Sequence, residues 1–257
     1  MPVIMYCVKT VGGDFYFFIF CSFLIWLPVV FYISTQCCYK PIFIIALFYF
    51  FTPFFIANAA LIIRQYISAA FFLYYIFMLL HKFYKLAFIF CLASILSHAY
   101  AMLWVLMSSS LFVKILSNRF VLNYCLPVIM AIVVLNFAFI NLKSLSTILI
   151  TYDIPDVIKR KLYYYVHGDE LISHAGYISL LLSYIILLCS YFSLRLNGDY
   201  NRQRVVAVIF ISALLFVSLS NNIVSSSRFG FWAYFFNIPS LIFVLYFRIR
   251  IRFGVNE

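Results

Sequence analysis

Long apolar runs, broken by short polar or basic punctuation, occupy most of the chain. Runs of near-spanning length cover Phe15–Ser34, Pro41–Ala57, Ala59–Leu80, Phe120–Asn141, Gly176–Leu194, Val205–Ser220 and Phe231–Phe247. About 20 residues of helix cross a hydrocarbon core of about 30 Å, so these runs read as membrane segments, some of them short. Lys9 and Asp14 precede the first run and no A-x-A-like site follows it, so nothing resembles a cleavable signal peptide and the chain stays in the membrane.

An eighth apolar region, Leu86–Val113, contains His98 and is flanked by Lys82 and Lys85 before it and by Lys114 and Arg119 after it. A single crossing would put these flanks on opposite faces and leave the 18 Lys and Arg residues almost evenly divided. Two short helices that enter and return, meeting near His98 and Tyr100, keep both flanks on the cytoplasmic face and sharpen the positive-inside bias. Each half, at about 21 Å, falls short of the core, and non-helical backbone at that depth needs protein or water around it, which implies a cavity. The re-entrant arrangement makes Leu142–Ala175 an external loop of about 34 residues. It also puts the first residues outside with no span before them, which leaves open a missing upstream helix. Pro28, Pro53, Pro127 and Pro239 lie inside apolar runs, where a lost amide donor kinks a helix or opens a backbone gap.

Composition agrees with the pattern. At 67% hydrophobic, 10% charged and a mean hydropathy of +1.09, the chain has more apolar surface than 257 residues can bury in water. The expected fold class is an all-α polytopic membrane protein of about eight segments, one of them a re-entrant pair, forming a single membrane domain over residues 1–257 without internal repeat or soluble domain. The seven cysteines form no C-x-x-C pair and read as small buried hydrophobes.

Arg64 carries the most chemistry. A guanidinium near the bilayer centre costs about 2.5 to 3.5 kcal/mol on insertion scales, so such a residue either snorkels to the headgroups or faces a cavity and a ligand. In the re-entrant topology the external face gathers Asp14, Arg64, the tip at His98, the loop Tyr152–His174 and Arg228. Arginine suits a diphosphate because its planar fork donates two hydrogen bonds and never loses its charge, so Arg64 and Arg228 are candidate diphosphate ligands. Arg228 beside Ser225, Ser226 and Ser227 reads equally as a boundary anchor. His98, with a near-neutral pKa by residue type, suits a general base for a sugar hydroxyl, or a polar packing role. Tyr163, Tyr164 and Tyr165 suit stacking on pyranose rings or a place at the interface. Asp153, Asp156, His167, Asp169, Glu170 and His174 read as solvated loop residues or as an acid, a base or sugar contacts. With neither Asp-x-Asp nor His-x-x-x-His present, no metal is expected.

The segment Ile63-Arg64-Gln65-Tyr66-Ile67-Ser68-Ala69-Ala70, then Lys82 and Lys85, then Ser97-His98-Ala99, resembles the EpsG family of Wzy-type polysaccharide polymerases. The shared pattern is an Arg-Gln opening a helix, a small residue a few positions on, a basic turn, and a His closing the next apolar run. Gly13-Asp14-Phe15-Tyr16 and the stretch from Ser227-Arg228-Phe229 to Tyr234 are looser matches, and Ala99 stands where the family often has Ser.

The resemblance implies a metal-independent glycosyltransferase without cofactor, acting on the external face of a bacterial inner membrane. Such an enzyme moves the growing glycan from undecaprenyl diphosphate to the non-reducing end of a new lipid-linked repeat unit. The site expected from it has Arg64, Gln65, Arg228, Asp14 and Tyr164 binding substrate and His98 with Arg64 in catalysis. Its expected partners are the lipid-linked oligosaccharide, the bilayer and a Wzz-type chain-length co-polymerase, with no nucleic acid. An O-antigen ligase or other undecaprenyl-linked glycosyltransferase would share the topology. A lipid-glycan flippase would show paired repeats and broken helices in corresponding halves, and no such symmetry is visible.

Overall fold

The structure is a computed structural model that describes residues 62–134, 174–196, 200–220 and 223–253, with 9, 10, 12–14, 17, 20, 24, 25, 155, 156 and 159 besides. Most of the expected span Phe15–Ser34, all of Pro41–Ala57 and most of the loop Leu142–Ala175 lie outside the described residues. Helix and turn account for what is described, with no strand among those residues. The chain divides into two compact units, Met1–Leu106 and Met107–Glu257.

In the first unit α1 (Ile63–Leu80) and α2 (Tyr84–Ser97) form an antiparallel hairpin. The turn between them is a Schellman motif: the Phe83 N–H reaches Met78 O at 2.9 Å and the Lys82 N–H reaches Leu79 O at 3.1 Å. Lys82 occupies the left-handed position of that motif at φ 62°, where glycine is usual. Tyr74, Phe71 and Phe90 stack between the helices, Tyr74 on Phe90 at 5.1 Å and Phe71 on Phe90 at 6.3 Å. Short α3 (Ala101–Met107) follows a break at His98–Tyr100, as the re-entrant reading expects.

The chain also reverses at that break. Ser94 pairs with Ser68, so Ser97 lies level with Gln65, and a helix running straight on would carry Trp104 about 20 Å beyond Phe72 at 1.5 Å per residue. Instead the Trp104 ring meets the Phe72 ring edge-on at 5.9 Å, with Trp104 fully buried.

The second unit is a bundle built on α6 (His174–Leu194), α7 (Tyr200–Ser218) and α10 (Asn237–Phe253), with α4 (Ser110–Leu116) and α5 (Leu126–Val134) packed against it. The helix that becomes α5 starts at Arg119, where Asn118 Oδ1 accepts the Phe120 N–H at 2.9 Å as an N-cap, and winds as a π-helical turn over Val121–Cys125. Pro127 explains that turn. Its ring would strike the carbonyl four residues back, and widening the ladder to five-residue steps avoids the clash. Leu126 duly donates to Val121 O, while Leu122 O, five residues before Pro127, receives no proline N–H. The buried Tyr191 hydroxyl of α6 fills that gap, donating to Leu122 O at 2.9 Å.

α6 shows what solvent the bundle is built for. Its exposed stripe is Ile178, Leu181, Ile185, Leu188 and Phe192, all large and apolar, while Ser179, Ser183, Ser190 and Ser193 are buried. Water would demand the reverse. Small polar residues inside and bulky apolar ones outside are the arrangement of helices packed in lipid. The hydroxyls of Ser183, Ser190 and Ser193 each find a carbonyl, such as Ser190 Oγ donating to Ile186 O at 2.6 Å and Ser183 Oγ to Ser179 O at 2.7 Å.

Two expected boundaries differ. α7 begins at Tyr200, ahead of the apolar run at Val205, because its polar first turns are satisfied: Tyr200 Oη donates to Ser110 O at 2.7 Å, Arg204 Nη2 to Ser110 Oγ at 3.0 Å, and Gln203 Nε2 to Leu196 O at 3.1 Å. The run Phe231–Phe247 is not one helix. α8 (Ile223–Phe229), α9 (Phe231–Tyr234) and α10 are successive pieces, and Pro239 stands in the first turn of α10, where a missing N–H costs nothing. Side chains satisfy the broken ends. Ser212 Oγ accepts the Trp232 and Ala233 N–H groups at 3.0 and 3.2 Å, and Ser240 Oγ donates to Trp232 O at 2.7 Å.

Among the described residues no single helix is long and apolar enough to cross a membrane alone. Ser110–Leu116 with Val121–Val133, bent by 61°, reach that length and composition as a pair.

Candidate functional site

Hydrogen bonds between α1 and α2 set the register that builds the site. Ser68 Oγ donates to Ser94 O and Ser94 Oγ donates to Ser68 O, each at 2.8 Å, with both side chains fully buried. Arg64 lies four residues before Ser68, and His98 four residues after Ser94. In antiparallel helices both offsets lead to the same end, about one turn beyond the serine pair, so Arg64 and His98 share one end of the hairpin.

Arg64 is exposed in the first turn of α1, and Gln65 beside it is 2% exposed. Ile62 offers no side-chain cap and the Gln65 N–H turns back onto Ile62 O at 2.9 Å, so the Ile63 and Arg64 amides are the first-turn donors beside the guanidinium. Those amides and Arg64 are all donors, and helix N-termini favour anions. The combination suits phosphate oxygens.

His98 is half-buried at the break. Its backbone is extended (φ −157°, ψ 126°), its N–H closes α2 on Ser94 O at 3.1 Å, and its carbonyl accepts the Ala101 N–H that opens α3 at 3.0 Å. The ring accepts the Tyr100 N–H at Nδ1 at 3.3 Å and lies 4.9 Å from the Tyr100 ring.

Three further residues were expected at the site. Asp14 Oδ1 accepts the Phe17 N–H at 2.8 Å, an i, i+3 capping contact that gives this carboxylate a local structural task. Tyr164 lies outside the described residues. Arg228, in the second unit, is half-buried in the last turn of α8, between fully buried Ser226 and the tightly packed Gly230.

Ser94, the Tyr100 amide on the His98 ring and the reciprocal role of Ser68 escaped the sequence reading. One signal was present: Arg64 to Ser68 and Ser94 to His98 are both i, i+4 steps, each placing a small hydroxyl on the face of a candidate site residue.

Apolar outer faces and serine-lined helix contacts are those of an all-helical membrane protein, and its α1–α2 hairpin carries Arg64 and His98 at one end. The chain belongs to the EpsG family, whose model matches residues 3–254, and it is therefore an exopolysaccharide-related membrane protein. Neither a curated protein nor a solved structure matches it.

Proposed function

We propose that the chain is a polysaccharide repeat-unit polymerase, transferring the growing glycan from undecaprenyl diphosphate to the non-reducing end of a new lipid-linked repeat unit. The observation that carries this reading is the register of α1 and α2, which sets Arg64 and His98 at one end of the hairpin beside the N-terminus of α1. A glycosyl diphosphate brings its own energy, so the protein's largest contribution is to stabilise the departing anion. Arg64 and the α1 amides hold the diphosphate, Gln65 supports the turn that carries Arg64, and His98 meets the reacting groups. On this reading the site opens to the external face of the inner membrane, needs neither metal nor nucleotide, and works with a Wzz-type chain-length partner.

Deleting the gene and resolving surface polysaccharide on a gel tests the proposal. Collapse of the ladder to a single repeat unit, restored by the wild-type gene and not by Arg64→Ala at matched membrane levels, is the expected result. An unchanged ladder in the deletion strain sinks the assignment, and loss of even the single unit favours a ligase or flippase.

A further inference from the structure

His98 does not look outward with a vacant lone pair on both nitrogens. A neutral imidazole carries one proton, and the nitrogen that accepts a hydrogen bond is the one without it. Nδ1 accepts the Tyr100 N–H at 3.3 Å, so the proton of neutral His98 sits on Nε2. The backbone holds this arrangement in place. The residue whose carbonyl starts α3 and whose N–H ends α2 is His98 itself, and the amide facing its ring is two residues on, inside the same junction.

Resting on the polymerase reading, we propose that His98 serves as a hydrogen-bond donor to the diphosphate through Nε2–H, and not as the base that deprotonates the acceptor hydroxyl. A base must turn an available lone pair toward the hydroxyl, and the lone-pair nitrogen of His98 is turned to Tyr100 N–H. A donor matches its neighbours instead. The Arg64 guanidinium and the first-turn amides of α1 only donate, and a third kind of donor at this end adds to the stabilisation of phosphate oxygens as charge grows on them.

The step balances without a protein base. The bond between the sugar C1 and the diphosphate oxygen breaks, and its electron pair stays with that oxygen. The acceptor hydroxyl oxygen forms the new bond to C1. Its proton passes to the departing diphosphate, which has gained one negative charge and whose terminal phosphate takes up a proton near neutral pH, at a pKa of about 6. The substrate supplies its own base.

Three substitutions separate the roles. The amide nitrogen of Gln reaches about as far as imidazole Nε2 and donates but takes no proton, whereas that of Asn reaches only as far as Nδ1. Membranes with matched levels of wild type, His98→Ala, His98→Gln and His98→Asn are supplied with the lipid-linked repeat unit purified from the deletion strain, and its rate of consumption is followed. Losses of about 100-fold for Ala and Asn, with Gln within about 10-fold of wild type, are the expected result. Gln as slow as Ala overturns the donor role while leaving the polymerase reading intact. Ala as fast as wild type removes His98 from the site. No consumption by wild type, with an unchanged ladder in the deletion strain, removes the polymerase reading itself.

Discussion

Ser68 and Ser94 each give their hydroxyl proton to the other's backbone carbonyl at 2.8 Å, with the two oxygens of their side chains 3.3 Å apart. The pair is buried between two helices that otherwise meet through apolar and aromatic side chains, and it locks their register. Hydrogen bonds between membrane helices average about 0.6 kcal/mol and reach about 1.7 kcal/mol, so either Ser→Ala change is expected to lower stability by about that range. The double variant should lose less than the sum, since the two bonds act as one unit. Thermal unfolding in detergent measures all three, and additive losses would show that the serines act separately.

Trp104 packs edge-on against Phe72 at 5.9 Å because the chain turns back at His98–Tyr100. Phe72→Ala and Trp104→Ala are each expected to destabilise by about 3 to 5 kcal/mol, with a coupling of about 0.5 to 1.5 kcal/mol between them. Zero coupling in a double-mutant cycle would mean that α3 runs on without returning to α1.

Neighbouring positions 64 and 65 should fail in different ways. Arg64 is exposed, so Arg64→Ala is expected to keep folded protein at its wild-type level while glycan chain extension falls by about 10²-fold or more. Arg64→Lys keeps the charge but loses the planar fork and should restore only part of the rate. Gln65 is 2% exposed, and Gln65→Ala should lower stability by about 1 to 3 kcal/mol first. Equal protein levels combined with equal activity losses at both positions would contradict this division.

Gly230 packs directly onto α7. A Cβ there would stand 2.8 Å from Phe216 Cα and 2.7 Å from Ser226 O, and closer still to Phe216 Cβ. Gly230→Ala is expected to destabilise by about 1 to 3 kcal/mol. Adding Phe216→Ala should not rescue it, because alanine keeps both of the obstructing Phe216 atoms. Rescue, read as recovered melting temperature, would place the clash in the Phe216 ring instead.

Tyr191→Phe removes the donor that serves Leu122 O and leaves a buried carbonyl without it, at a cost of about 1 to 3 kcal/mol. Faster hydrogen exchange at the amides of residues 121–126 is the local signature to measure. Unchanged exchange there would show that the π-helical turn holds without the tyrosine.

The helical class, the break near His98 and Tyr100, and the C-terminal ends of α1 and α6 were legible because apolar runs and polar interruptions mark them directly. The interruption within Phe231–Phe247 was not. All its residues are compatible with a span, and the break depends on Ser212 and Ser240 being near enough to take over the freed N–H and carbonyl groups. The early start of α7 was hidden for a related reason: Arg204 and Tyr200 look like a helix boundary until Ser110 is seen beside them. At the site, residue types pointed to Arg64 and His98, but the amide that settles which imidazole nitrogen holds the proton belongs to Tyr100, a residue whose side chain drew no attention.

The π-helical turn at Val121–Cys125 also sets a phase. Successive residues of an α-helix step by about 100°, so one additional residue in a turn puts everything after it out of step with everything before. Arg119 and Phe120 therefore read on one helical wheel, and Val128, Ile129 and Ile132 on another, rotated by roughly one residue's step. Removing a single residue between 121 and 125 would bring the Pro127 ring back against a carbonyl four residues before it, and would turn the apolar face of α5 away from its present partners. Proline, tyrosine and the spare residue thus form one adjustment, and the direction in which α5 presents its surface is the quantity they tune.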